Sequence, residues 1–300
     1  MRFIRAKTML MLAAAVLGLS PASAQADAPQ TTPAKNTEEQ EEATEKLELE
    51  EVVVTATRRP TKLENAPAVV NVITEEEIGK LPWANVSELL ENEVGIRTDQ
   101  PQGMGSVTPQ SITMRGISST KRSLLMVDGQ VWNSGFTDYF QFSEIPVEAI
   151  KRIEVVRGPF SALYGSNAMG GIIHIITKDG WGQKPQASGF ARFGNFSRRE
   201  TGETVGGSYG GKASLFTSHS TYHTDNYYLN DARDDIFDTR NREHRHDRFH
   251  LHGRAMLTDD LEMHLSGGRF TGRTGFGMAE NLGFENEMDA ESAYLNARCN

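Results

Sequence analysis

The sequence predicts an α+β domain followed by a run of antiparallel β-strands, and three observations carry that expectation. Helix caps and short β-branched runs alternate between about residues 65 and 180. From about Gln186 onward, apolar and polar residues alternate with the period of a strand. A chain of 300 residues with 38% apolar and 24% charged side chains can bury a core. The 31 Lys and Arg against 40 Asp and Glu give a net charge of −9 with no basic cluster, which excludes an electrostatically driven nucleic-acid binder. The single cysteine, Cys299, excludes an internal disulfide framework and a thiolate metal cluster. Outside the N-terminus no apolar run approaches the roughly 18 residues a spanning helix needs, so any membrane role must use strands.

Residues 1–24 read as a secretory signal peptide. Arg2, Arg5 and Lys7 precede the apolar run Met9 to Leu19, and Ala22 and Ala24 supply small residues before a cut. The run is too short to be a membrane anchor. Removing those three cations leaves 28 against 40, a net charge of −12 for the mature chain. Residues 25–50 are Ala, Pro, Thr, Gln and Glu with almost no large apolar side chain, and eight glutamates stand between Glu38 and Glu51 against Lys46. Such a segment cannot offset its ordering entropy and reads as a disordered acidic tether.

Directly after it comes Glu51, Val52, Val53, Val54, Thr55, Ala56 and Thr57, stopped by Pro60. This is a short strand with nothing beside it in sequence, suited to joining another protein's sheet edge or to beginning the next domain. Pro67 to Ile73 reads as a strand, Thr74 and Glu77 as a capping box, and Asn85 with Glu88 as a second capped helix. Ile112 to Arg115 alternates like a strand. Leu124 to Val127, Asp128-Gly129 and Val131-Trp132 read as a hairpin whose turn dipeptide tolerates positive φ. Pro146 opens a helical turn, Ile153 to Val156 is a strand, and Ile172 to Ile176 is a buried one. Between the last two lies a glycine-rich loop, Arg157 to Gly171. It lacks a following Lys-Ser or Lys-Thr pair and leads into a strand, so it offers no helix N-terminus for a phosphate; its glycines serve tight turns and close backbone approach.

Taken together, these pieces resemble the TonB-dependent outer-membrane receptors. Glu51 to Ala56 resembles a TonB box. Ile112 to Gly116, Leu125 to Gly129, Ile153 to Pro159 and Leu163 to Ile173 resemble, in order and spacing, segments of that family's plug domain. The resemblance implies a TonB box at 51–57, a plug domain at 58–180 and the first β-barrel strands at 181–300. It implies TonB with its inner-membrane motor complex as partner, outer-membrane lipid around the barrel, and energised uptake of a ferric siderophore, with cobalamin or haem as alternatives. It also implies that Arg115 and Arg157 are plug arginines facing acidic groups on the barrel wall, a latch that loosens on pulling.

In the last third, Phe249, Leu251, Gly253, Ala255 and Leu257 share one face of a strand, while His250, His252 and Arg254 share the other. Leu261, Met263 and Leu265 repeat the pattern across an Asp259-Asp260 turn. Alternation alone fits a barrel strand or a strand of a soluble sandwich. About 120 residues follow Lys178, enough for some five to seven strands at roughly 10 residues each. The expectation is an N-terminal portion of a receptor, whether a truncated record, a split gene or part of a barrel completed by another chain. A remnant that binds TonB without transporting is the rival expectation.

The pattern points to no catalytic constellation and no cofactor. His219, His223, His244, His246, His250 and His252 invite a metal or haem reading, but no carboxylate or thiolate stands at a defined spacing, and no metal site is expected. Trp132, Phe136, Tyr139 and Phe140 lie where plugs of this kind present apical loops to ligand and are the candidate ligand contacts.

Overall fold

The computed structural model describes residues 52–53, 61–62, 68–80, 85–99, 110–118, 122–133, 140, 142–225, 243–258, 261–275 and 285–299. The segments expected to be a signal peptide and an acidic tether lie outside them.

Val52–Val53 (β1) pairs antiparallel with Thr61–Lys62 (β2). The segment expected either to join another protein's sheet edge or to begin the next domain thus pairs, at these two residues, with its own chain. Val69–Thr74 (β3) leads into Glu75–Lys80 (α1) through the expected capping box: the Thr74 N–H donates to Glu77 Oε2 at 2.8 Å and the Glu77 N–H to Thr74 Oγ1 at 3.3 Å. Val86–Glu91 (α2) is capped by Asn85, whose Oδ1 accepts the Glu88 N–H at 2.9 Å. A six-residue helix is marginal alone. It holds because Val86, Leu89 and Leu90 are buried in the core.

Ile96–Asp99 (β4), Ser111–Met114 (β5) and Ile117–Ser118 (β6) form a small antiparallel sheet. Ser123–Val127 (β7), Gln130–Val131 (β8), Ile150–Arg157 (β9) and Gly171–Thr177 (β10) join β3 in a five-stranded sheet of order β3-β9-β10-β7-β8. Within it β10 runs parallel to β7 and antiparallel to β9. Successive side chains alternate between two cores. Leu125, Val127, Ile153, Val155, Ile173 and Ile175 face the larger one with the helices, and Leu124, Met126, Val156 and Ile172 face a smaller one. The glycine-rich loop covers the smaller core: Ser161–Tyr164 (α3) and a following 3-10 turn bring Phe160, Tyr164 and Ala168 onto it.

Gln186–Phe193 (β11), Arg199–Tyr209 (β12), Ala213–Thr224 (β13), His244–Met256 (β14), Leu261–Gly275 (β15) and Glu285–Cys299 (β16) form a continuous antiparallel meander in sequence order. Its connections alternate. Short links, 210–212 and 257–260, take turns with longer ones, 225–243 and 276–284.

The polarity of this sheet decides between the two readings that alternation left open. Its buried face carries Ser214, Ser218, Ser220, His244, His246, Arg248, His252 and Glu262, interspersed with the aromatic Phe216, Tyr222 and Phe270, while Phe193, Tyr209, Leu257 and Leu265 are exposed. A soluble sandwich buries its leucines. A wall with an apolar outside and a polar inside is the pattern of a transmembrane barrel.

Candidate functional site

Residues 51–300 cluster as one unit, and the functional groups gather along the seam between the α+β domain and the inner face of the meander. The tip of the β7–β8 hairpin is one anchor. Asp128 and Gly129 take φ of 49° and 83°, the left-handed pair that a two-residue hairpin turn requires. That turn aims the Asp128 carboxylate at the end of β10: Oδ1 accepts the Thr177 N–H at 2.8 Å and Oδ2 accepts the Thr177 hydroxyl at 2.7 Å. Because its proton is committed to Asp128, Thr177 Oγ1 accepts from His252 Nδ1 of strand β14 at 2.7 Å. A second anchor lies two residues on. The Arg254 guanidinium stacks on the Trp181 ring at 4.1 Å, pairs with Glu262 on its own sheet, and reaches Asp179 at 3.6 Å. In the sequence Asp128 reads as a turn residue and His252 and Arg254 as members of one strand face, but none of the pairings across the seam is legible there. Each gains its role only from a neighbour distant along the chain.

The two arginines expected to latch onto the wall are placed otherwise. Arg157 donates from Nη2 to Glu93 Oε2 at 2.8 Å and from Nη1 to Asn71 Oδ1 at 2.9 Å, so its partners among the described residues belong to its own domain. Arg115 is exposed at the tip of the β5–β6 hairpin with φ of 54°, its N–H bonded to the Gly95 carbonyl at 2.9 Å. The structure does not bring these two side chains together at a wall carboxylate.

Of the four candidate ligand contacts, Phe136 and Tyr139 lie outside the described residues. Phe140 is fully buried, its ring centroid 5.8 Å from that of Phe142, and offers no surface to a ligand; its apolar ring is worth more inside the core than at an apical loop. Trp132 is half-buried against the larger core and hydrogen-bonds Glu144. Together with Asp128, His250 and Arg269 these two line a small cavity of about 30 Å³ facing β14 and β15. Burial pushes the Glu144 carboxyl up to about 7, although the Trp132 hydrogen bond pulls the other way.

Of the residues expected to form a TonB box, Val52 and Val53 are the described pair; Glu51, Val54, Thr55, Ala56 and Thr57 lie outside. Among the histidines, His219 turns to Glu203 and Asp247 at 3.1 and 3.0 Å, and His223 to Asp225 at 2.7 Å, whereas His252 contacts His264 at 3.3 Å on the inner side. They belong to opposite faces of the sheet and do not converge.

A family profile described as TonB-dependent Receptor Plug Domain matches residues 62–172. The vitamin B12 transporter BtuB of Vibrio vulnificus is 40% identical over 126 residues, 42% of this chain and 20% of that protein. The same transporter of Vibrio cholerae is 38% identical over 136 residues, 45% of this chain and 22% of its own length. The chain thus spans about a fifth of the length of these relatives. Among solved structures, the siderophore receptor PirA of Pseudomonas aeruginosa superposes with a TM-score of 0.53 at 24% identity, covering 78% of this chain and 39% of the other. The alcaligin outer-membrane receptor FauA of Bordetella pertussis does so with a TM-score of 0.64 at 16% identity, covering 82% and 38%. These likenesses speak for a shared fold.

Proposed function

This chain belongs, through its plug domain, to the TonB-dependent receptors of the outer membrane, and on that premise we propose that it takes part in energised uptake of a bulky cargo. The observation that carries this reading is the seam. A folded plug lies against a wall whose outer face is apolar and whose inner face is polar, joined to it by hydrogen bonds and ion pairs that can be exchanged for water. A hydrophobic plug–wall contact would have to expose apolar surface each time the plug moved.

The chain divides functionally at 50, 57 and 180 into tether, TonB box, plug and wall. Val52 and Val53 leave their pairing with Thr61–Lys62, and Val52 to Thr57 add as a strand to TonB, which draws on the plug. The displaced pairing is only two residues long, so exchanging it for a longer strand pairing is favourable. The cargo is a ferric siderophore in the first reading. A cobalamin is the second, favoured by the 38 to 40% identity over 126 to 136 residues to vitamin B12 transporters.

The test is uptake of a radiolabelled ferric siderophore and of radiolabelled cyanocobalamin, in parallel, by cells expressing the protein with and without residues 52–57. One cargo should accumulate only with the segment present and the inner membrane energised, and should still bind when the segment is deleted. Capture of TonB with neither cargo accumulating would overturn transport in favour of a plug that only binds the motor.

A further inference from the structure

One contact across the seam differs from the rest in kind. Glu148 sits in the 3-10 turn Val147–Ala149 that launches β9, flanked by Val147, Ala149 and Ile150, which are 8%, 0% and 0% exposed. Its backbone therefore cannot shift unless the plug core shifts. Its Oε1 accepts from Arg192 Nη1 of strand β11 at 2.6 Å, and its Oε2 is buried with no hydrogen-bond partner among the described residues. The Arg192 guanidinium lies over the Phe190 ring at 4.2 Å.

On the wall side Arg192 has a second carboxylate. Directly opposite it in the strand register is Glu200, whose Oε2 lies 3.2 Å from Nη1. Glu200 in turn accepts from Arg248 Nη2 at 2.6 Å, and Arg248 Nε donates to Ser220 Oγ at 3.1 Å. The four charges balance. Elsewhere across the seam, His252 Nδ1 meets the Thr177 hydroxyl at 2.7 Å and lies 3.6 Å from Asp128 Oδ2, and Arg254 reaches Asp179 at 3.6 Å, so neither contact is an ion pair as short as that of Glu148 with Arg192.

The arrangement is asymmetric. If the plug withdraws, Arg192 keeps Glu200 and the wall holds no orphaned cation. Glu148, by contrast, loses the one guanidinium it faces among the described residues and must be rehydrated. The cost of release therefore falls on the plug, and the wall remains ready to re-engage it. We propose that Glu148 and Arg192 are the positioning residues that form a releasable clasp seating the plug on this side of the wall. Its polarity is the reverse of the expected plug-arginine latch: here the wall brings the cation and the plug the carboxylate. The clasp rests on the reading of β11 to β15 as barrel wall, and not on transport.

The experiment uses the full chain in outer-membrane vesicles without TonB or cargo. On a Cys299→Ser background, Ser218→Cys places a nearly isosteric reporter on the inner wall, at a position 2% exposed beneath the plug. Its labelling by a membrane-impermeant maleimide in mild urea reads plug withdrawal. Because Arg192 is about a third exposed, Glu148→Gln and Arg192→Gln should each raise the labelling rate by about tenfold, between the effects of surface and buried pairs. Glu148→Asp and Arg192→Lys, which keep the charges, should stay within about threefold of the parent. The double variant Glu148→Gln/Arg192→Gln should label no faster than the faster single. Unchanged single variants would overturn the clasp, as would single effects that multiply in the double, or charge-keeping variants that label as fast as the neutral ones. Parental protein that labels at once without urea would instead sink the plug-in-wall reading itself, whereas a failure of uptake leaves this measurement untouched.

Discussion

Asp128 shows how much one side chain can hold. It occupies a left-handed turn position, ties two backbone segments of the plug together and fixes the hydroxyl that meets His252. Asp128→Ala should cost roughly 2 kcal/mol by leaving the Thr177 N–H and hydroxyl without their acceptor, and Asp128→Asn, which tolerates the turn, less than half of that; urea midpoints measure both. Glu144 gives a pH signature. Its carboxyl is raised from 4.5 to about 7, so between those values the folded protein holds a proton that the unfolded chain has released. Stability falls as pH rises through that window and is level above it, by roughly 2 to 3 kcal/mol in total. Glu144→Gln should remove the slope between pH 5 and pH 8 without touching the rest of the profile; a slope that persists in the variant would place the titrating group elsewhere. At this scale the sequence was a partial guide. Asn85, Thr74, Glu77 and Asp128 act locally, and their roles follow from their neighbours in the chain. The partners of Arg157 and the burial of Phe140 depend on residues dozens of positions away, which no local pattern encodes.

Among the elements, β10 is the one that most depends on its glycines. A Cβ on Gly171, with φ of 152°, would stand 2.5 Å from the Val156 carbonyl oxygen and 2.6 Å from Met114 Cε, because β9 and the β5 hairpin close over that point. At Gly165, with φ of 82°, a Cβ would meet nothing within 4 Å. Gly171→Ala should therefore destabilise the plug by more than roughly 3 kcal/mol, through collision as well as conformation, and Gly165→Ala by roughly 1 to 2 kcal/mol, through conformation alone. Thermal melting of the two variants separates the effects, and equal losses would mean the close approach at Gly171 is absent. The glycine-rich loop was legible as a device for close backbone approach, and the hairpin and the two capped helices, α1 and α2, were legible from their turn and caps. The parallel pairing of β7 with β10 was not, because a short apolar run such as Ile172 to Ile176 declares that it is buried without declaring which neighbour it takes or in which direction. The strand β4 also escaped notice, since Ile96–Asp99 is too short and too polar to alternate visibly.

The whole molecule has a direction. Barrels of this architecture carry tight turns on the periplasmic side and longer loops outside. The short links at 210–212 and 257–260 thus mark one end, and the longer ones at 225–243 and 276–284 the other. In a Cys299→Ser background, a cysteine placed between 230 and 238 should react with an impermeant label on intact cells, and Lys212→Cys only after permeabilisation; the opposite order would invert the topology. The same polarity predicts that Leu251→Arg, on the outer face, costs roughly 2 to 4 kcal/mol near the bilayer centre, whereas Thr204→Lys on the inner face leaves membrane insertion intact. Alternation in β14 and β15 was plain in the sequence, yet which side meets lipid became clear only when serines and histidines proved buried and leucines exposed.

That lining also bears on the space a departing plug would leave. Ser214, Ser218, Ser220, Thr224 and the neighbouring imidazoles present donors and acceptors along the inner surface of β13 and β14. Liquid can flood such a gap as fast as it forms, solvating each vacated hydroxyl. A leucine-lined gap would dewet and snap shut, and no hydrated solute could follow.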